Sequence, residues 1–273
     1  MHIMTRPNAR RPRPDTRRWV LDGEQEAIFR ALPQTVLANL AGSRSEGPLV
    51  WNAFYPLAAR QTGLGEMLAL TPLWGSRQAP PAAGLAGAEM FFWGYGLDGR
   101  PMPGLREAVR AVDGPKGKTE VDLFLIGDGQ LVAVEAKRGA TPGRCGRYAR
   151  GSCPEAHPAE GREACRYWQS GPGEFRRRLD TGEQPVPGSD VPACSTHYQL
   201  FRTLMLGAYL AEAMAMDLGL WLVIPHAHWP RLEPAWLDFA DRVRDEALWR
   251  RLRVIAWESL LSLPRDRGKQ HSL

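Results

Sequence analysis

The stretch Thr119–Arg138 reads T-E-V-D-L-F-L-I-G-D-G-Q-L-V-A-V-E-A-K-R, and its reading decides the fold. Two apolar runs, Thr119 to Ile126 and Gln130 to Arg138, flank Gly127-Asp128-Gly129. Asp-Gly between such runs signals a two-residue hairpin turn. Alternation along the first run puts Glu120, Asp122, Phe124 and Ile126 on one face, with Val121, Leu123 and Leu125 on the other. In the second run Leu131, Ala133, Glu135 and Lys137 share a face, opposite Val132, Val134 and Ala136. With Asp128-Gly129 as the loop, Gly127 faces Gln130, Asp122 lies across from Glu135, and Glu120 across from Lys137. A four-residue loop, Gly127 to Gln130, gives the same pairing. Opposed residues point to one side with Cβ atoms about 4.5–5.5 Å apart. The register therefore predicts two carboxylates and one ammonium on a single patch.

Two opposed carboxylates repel by on the order of 1 kcal/mol or more at the dielectric of a protein surface. The strands are otherwise apolar, so a divalent cation is the natural relief. Mg²⁺ takes oxygen ligands, commonly one or two carboxylates with waters and substrate phosphate. Lys137 beside it could orient or help deprotonate an attacking water, or stabilise charge developing on a phosphate.

Working outward, Glu24 to Leu40 and Leu49 to Ala59 read as helices, and Glu89 to Tyr95 as β-prone. Arg162 to Leu179 reads as helical with a break near Gly171-Pro172-Gly173. His197 to Leu218 is a long helix with mostly apolar faces, Leu220 to Ile224 a buried strand, Trp236 to Leu252 helical, and Val254 to Trp257 a last strand. No internal repeat or dividing linker is visible. The expectation is a basic flexible arm over 1–18 followed by a single α/β domain over 19–273, with an N-terminal helical elaboration.

The net charge of +5 sits entirely in that arm, where Arg6, Arg10, Arg11, Arg13, Arg17 and Arg18 oppose only Asp15. A second basic region runs from Lys137 to Asp180, with Arg144, Arg147 and Arg150 among its cations and Tyr148, Tyr167, Trp168 and Phe175 interleaved. Cations mixed with rings suit the phosphates and bases of a nucleic acid.

These residues resemble the PD-(D/E)xK nuclease superfamily, also called restriction-endonuclease-like. Its signature is an Asp on one strand followed by (Asp/Glu)-x-Lys on the next. Asp122, Glu135 and Lys137 match it in turn, with Val121 standing where the motif has proline. The resemblance covers roughly residues 89 to 224. It implies a mixed central sheet flanked by helices, and Mg²⁺- or Mn²⁺-dependent hydrolysis of phosphodiester bonds, most often in DNA, with Asp122 and Glu135 as metal ligands. It also implies a further upstream acid, for which Glu89 is preferred over Glu46. A helix after the core strands would bring a Gln to the site, and Gln199 fits, with His197 and Arg202 as phosphate contacts. Restriction, defence and repair roles are all compatible, as is a homodimer. The competing readings are a non-catalytic nucleic-acid-binding protein on the same fold, and an interaction protein scaffolded by a cysteine-bound metal.

Cys145, Cys153, Cys165 and Cys194 all follow the lysine, in one irregular Gly- and Arg-rich third of the chain. They lack the close C-x-x-C pair of most zinc sites. A structural Zn²⁺ or an iron–sulfur cluster would explain how that stretch folds, with His157 as a substitute ligand. His226 and His228 read as a surface turn beside Pro225 and Pro230. Gly94-Tyr95-Gly96 lacks the further glycine of a dinucleotide fingerprint, and no nucleophile elbow is present. The chain is 273 residues long, 44% hydrophobic and 24% charged, a globular composition. The longest apolar runs, such as Leu218 to Pro225, fall far short of the roughly 20 residues a bilayer needs. With an Arg- and Pro-rich start unlike a secretory signal, the expectation is a cytoplasmic protein with reduced cysteines and no membrane partner.

Overall fold

A computed structural model of the protein describes residues 14–43, 45–60, 69–75, 87–117, 119–127, 129–188 and 190–263. Among the described residues its sheet has five strands: β1 (Glu89–Phe92), β2 (Leu123–Gly127), β3 (Gln130–Ala136), β4 (Asp217–Ile224) and β5 (Leu252–Ala256). They lie side by side in sequence order. β1 and β3 are each antiparallel to β2, while β3, β4 and β5 run parallel. The sheet is thus mixed. The antiparallel step takes a tight turn, and the parallel steps need long crossovers. Most of the arm predicted for residues 1–18 lies outside the described residues; Pro14–Arg18 is described, and Thr16 there is buried.

The hairpin has the predicted register, from Gly127↔Gln130 to Leu123↔Val134. Gly129 takes φ 70°, the left-handed conformation such a turn demands. The ladder stops one pair short of the acids, however. Asp122 precedes β2, and its carboxylate Oδ2 accepts the Ala136 N–H at 2.9 Å, taking the place of a backbone partner. Its own carbonyl accepts the N–H of Trp93 at 3.1 Å. The alternation fails at the same point, since Val121 packs with Phe124 on one face of the sheet rather than with Leu123 on the other. The expected cross-strand pair of Glu120 with Lys137 is accordingly not formed within the ladder.

Helices cover both faces, which makes this an α/β protein. On one face Leu123, Leu125, Val134 and Val223 pack against Val36, Leu37 and Leu40 of helix Gln34–Leu40 and Trp51 and Phe54 of helix Gly47–Arg60. The N-terminal helices are therefore a full layer of the structure. On the other face Phe124, Ala133, Leu220 and Leu222 meet Leu200, Phe201 and Leu204 of the long helix Tyr198–Ala213, with Trp236 and Phe239 of helix Trp229–Asp241 beyond.

Four elements depart from the sequence reading, one of them the helix expected over Trp236 to Leu252, which instead runs over Trp229–Asp241 with a separate turn at Glu246–Trp249. The helix expected over Glu24 to Leu40 is split into Ile28–Ala31 and Gln34–Leu40, because Leu32 takes ψ 138° ahead of Pro33. Arg162 to Leu179 holds only the 3₁₀ turns Arg166–Trp168 and Phe175–Arg177. Gly173 there lies against the end of helix Leu105–Asp113, so close that a Cβ would sit 2.2 Å from the Val112 carbonyl oxygen. That helix is itself unanticipated, although Ala108 and Val112, four apart, give it a buried stripe.

Candidate active site

Glu135 and Lys137 alternate onto the long-helix side at the end of β3, where the parallel strands β3, β4 and β5 all terminate. The Lys137 backbone is held on both sides, its N–H donating to Val223 O at 2.8 Å and its carbonyl accepting the Trp257 indole N–H at 2.9 Å. Ligand clefts of open α/β sheets lie at such carboxyl ends. Here the cleft holds about 350 Å³, and Asp122, Glu135, Lys137 and Gln199 all line it, together with Glu120, Arg144, Arg202 and Thr203.

Glu135 is 1% exposed, and a carboxylate so buried has to be partnered. Its Oε1 accepts from Lys137 Nζ at 2.6 Å and from the Gln199 side-chain amide, and its Oε2 from Thr203 at 3.4 Å. Gln199 and Thr203 lie four residues apart on one face of the long helix, which explains how both reach one side chain. Gln199 also accepts the Gly143 N–H on its Oε1 at 2.6 Å, and its backbone N–H donates to Gly143 O at 3.0 Å. It thus joins the buried acid to the loop after β3.

The electrostatics are those of carboxylates crowded together out of water. Burial, then the Asp122 charge, pushes Glu135 up to about 7 against the pull of Lys137. Burial likewise raises Asp122, offset in part by Lys137 and the Ala136 N–H. Glu120 is raised by burial and by Asp122. Burial alone would depress Lys137, but Glu135 and Asp122 together outweigh it and hold the ammonium above its ordinary value. One ammonium faces several acids, and the cleft is lined with oxygen donors. That donor set fits a hard divalent cation with Asp122 and Glu135 as ligands and waters completing the shell. Among the described residues, no group of three or more His, Cys, Asp and Glu side chains is already arranged to hold a metal ion.

Glu89, preferred from the sequence as a further acid, is not among the residues that line this cleft. Glu89 is at the far end of β1, paired with Ile126 in the ladder and 3.8 Å from Arg100. Phe92, three positions along and so roughly 10 Å away, is the residue of β1 that adjoins Leu123. Glu46, the alternative, stands just before helix Gly47–Arg60 and accepts the Arg138 N–H at 3.4 Å. Its charge is felt at both Asp122 and Lys137.

The two expected phosphate contacts are otherwise engaged. His197 is 3% exposed, with Nε2 2.5 Å from Asp238 Oδ2, in a separate apolar pocket beside Trp236. Burial lowers its pKa in spite of that partner. Arg202 does line the cleft, but its guanidinium is held by Asp113 at 2.6 and 3.3 Å and lies over the Tyr198 ring. Asp113 was not singled out in the sequence, because its helix was not; its position at that helix's end was the available signal. Burial would raise Asp113, but Arg202, Thr119 and Tyr167 outweigh it and hold the carboxyl below its ordinary value. Because the folded pKa is depressed, this pair stabilises above the unfolded carboxylate range and the contribution is lost as pH falls. Asp113→Ala would leave a guanidinium unpaired and is expected to cost about 3 kcal/mol. Urea unfolding at neutral pH checks this, and the gap from wild type should narrow in acid.

The Arg-rich region is partly structural. Arg166 donates to the carbonyls of Val112 and Ala111 at 3.0 and 2.7 Å, capping helix Leu105–Asp113, and Arg176 lies 5.4 Å over the Trp168 ring. Arg144 is the exposed arginine at the cleft's edge. His226–His228 forms the expected turn, and His157 packs on Tyr148. Burial pushes Cys165 up to about 11 and Cys194 up to about 12, so neither thiol is an activated nucleophile.

No protein-family model matches the chain, and no curated protein or solved structure matches it either. Among the described residues no helix is long and apolar enough to cross a membrane.

Proposed function

We propose that the chain is a metal-dependent nuclease of restriction-endonuclease-like fold that hydrolyses phosphodiester bonds in DNA. One observation carries the reading. Asp122, the Glu135-Ala136-Lys137 motif and Gln199, three separate points of the sequence, bring their side chains to a single cleft of crowded, partly buried carboxyls at the strand ends. Asp122 and Glu135 would hold a divalent cation, which when bound would supply Lewis acidity toward a phosphoryl oxygen and a more acidic water.

The chain's own residues do the rest. Gln199 and Thr203 fix the Glu135 carboxylate in one orientation. Lys137 stays protonated, so it serves as a donor to charge growing on the phosphate rather than as a base. Arg144, exposed beside the acids, is set to meet a neighbouring phosphate of the backbone.

Cleavage of linear and supercoiled DNA is expected with Mg²⁺ or Mn²⁺, and its loss with excess chelator. Retention of DNA on a filter without strand breaks, in either metal, would point to the non-catalytic binding reading. Neither binding nor cleavage would remove nucleic acid from the picture.

A further inference from the structure

Between Gly139 and Pro192 the chain has little core of its own. The buried apolar side chains there are Cys153, Ala156, Trp168, Phe175 and Leu179. Among the described residues of this stretch, helical structure is limited to single turns at Gly146–Ala149, Arg166–Trp168 and Phe175–Arg177. A segment so poor in apolar contacts needs another tether. Three of the four cysteines fall within it, and the fourth, Cys194, stands just beyond.

Backbone and side-chain hydrogen bonds draw the four together in a chain. The Cys145 N–H donates to the Ser195 carbonyl at 2.9 Å, which lays Cys145 beside Cys194. Trp168 links the next two: its backbone N–H donates to the Cys165 carbonyl at 2.9 Å, and its side chain hydrogen-bonds Cys194. The Cys165 N–H donates to Glu155 at 2.6 Å. Glu155 lies in the turn that Cys153 opens, closed by the His157 N–H on the Cys153 carbonyl at 2.8 Å. Cys145, Cys153 and Cys165 all lie within electrostatic reach of Cys194.

The local geometry repeats as well. Cys145 and Cys165 each stand in extended conformation, at ψ 110° and 121°, immediately before a single helical turn. Cys194 lies in the first turn of Ala193–Thr196. The Tyr167 N–H, two residues on, hydrogen-bonds Cys165. Burial holds Cys165 and Cys194 as thiols despite these donors, and a metal would take them as thiolates by displacing their protons.

We propose that Cys145, Cys153, Cys165 and Cys194 are the four ligands of one structural thiolate-bound metal centre, Zn²⁺ or an iron–sulfur cluster, that fastens the Arg-rich loop to the start of the long helix. Among the described residues no group of three or more His, Cys, Asp and Glu side chains stands placed to hold a metal ion, so the four sulfurs would have to draw in around it. Metal binding closes the set and releases the thiol protons to solvent, as in sites whose ligands order with the ion. The gaps between the cysteines are long, so the intervening loops are what the centre organises. The proposal uses none of the cleft's acids and stands apart from whether the cleft cuts DNA.

The test uses full-length protein purified without chelator, in air and anaerobically, and assayed for zinc, iron and acid-labile sulfide. About one zinc per chain supports the proposal, as does iron with sulfide and a visible charge-transfer band; the two outcomes identify the metal. Cys153→Ser and Cys194→Ser are each expected to lower metal affinity by at least about tenfold. Because a cysteine variant that misfolds would lose metal trivially, the wild type carries the second measurement. Its four thiols should resist an aromatic disulfide reagent until a chelator is added. Folded wild type that is metal-free, with all four thiols reactive or paired as disulfides, overturns the proposal. So does full metal retention in Cys194→Ser, or loss of the metal in Glu135→Gln, which would place it in the cleft.

Discussion

Glu135→Gln is expected to abolish DNA cleavage, by about 10³-fold or more, and at the same time to make the protein more stable at about pH 8. The glutamine keeps the shape of the buried side chain and removes its charge. The carboxyl's ordinary value is 4.5 and the folded protein raises it to about 7, through burial first and the Asp122 charge second. The sign follows from that direction. A group with the higher folded pKa holds its proton more tightly in the native state, so it is harmless below about pH 4.5 and increasingly destabilising as pH rises to about 7. The full penalty is on the order of 3 kcal/mol. Thermal unfolding of wild type and variant at about pH 8 and about pH 4.5 measures it: the variant's advantage should be present at the first and gone at the second. Full activity in this variant would sink the nuclease assignment. Lower stability at the alkaline pH would show that Glu135 is retained for the fold instead.

Lys137→Ala is expected to split two quantities that usually move together. The ammonium sits 2.6 Å from Glu135 Oε1, so it competes with any cation for that oxygen. Its removal should tighten the apparent Mg²⁺ affinity. It should also cut the rate at saturating metal by about 10²–10³-fold, because a donor to the charged phosphate is gone. Cleavage rates over a Mg²⁺ titration separate the two effects. A variant that recovers the wild-type rate at high Mg²⁺ would confine Lys137 to metal binding and refute its part in the chemical step.

The central hairpin was legible because a strand pair has a period of two and an Asp-Gly turn fixes its register. The same reasoning carried Asp122 and Glu135 to one place by a pairing that the ladder does not contain. Asp122 stands just before the strand begins, and the convergence survives because its side chain takes the Ala136 N–H directly. Gln199 was found from a family pattern, and the geometry gives it a physical reason, one amide serving Glu135 and Gly143. The nearness of Glu46 to the end of β3 was beyond sequence reading, since it rests on a contact with Arg138 that is 92 residues distant in the chain. The absence of a helix over Arg162 to Leu179 was hidden for a similar reason. It lies on helix Leu105–Asp113 through the backbone of Gly173 and the side chain of Arg166, a tertiary contact without local signature.

The clasp that Gln199 makes ties two kinds of behaviour that are normally independent. One end of the amide holds Glu135 and the other the peptide of Gly143, next to the exposed Arg144. A polyanion drawing Arg144 outward would strain the same amide that steadies the acid. Capture of the strand and readiness of the acid would therefore be mechanically linked, and an idle cleft would differ in tension from one in use.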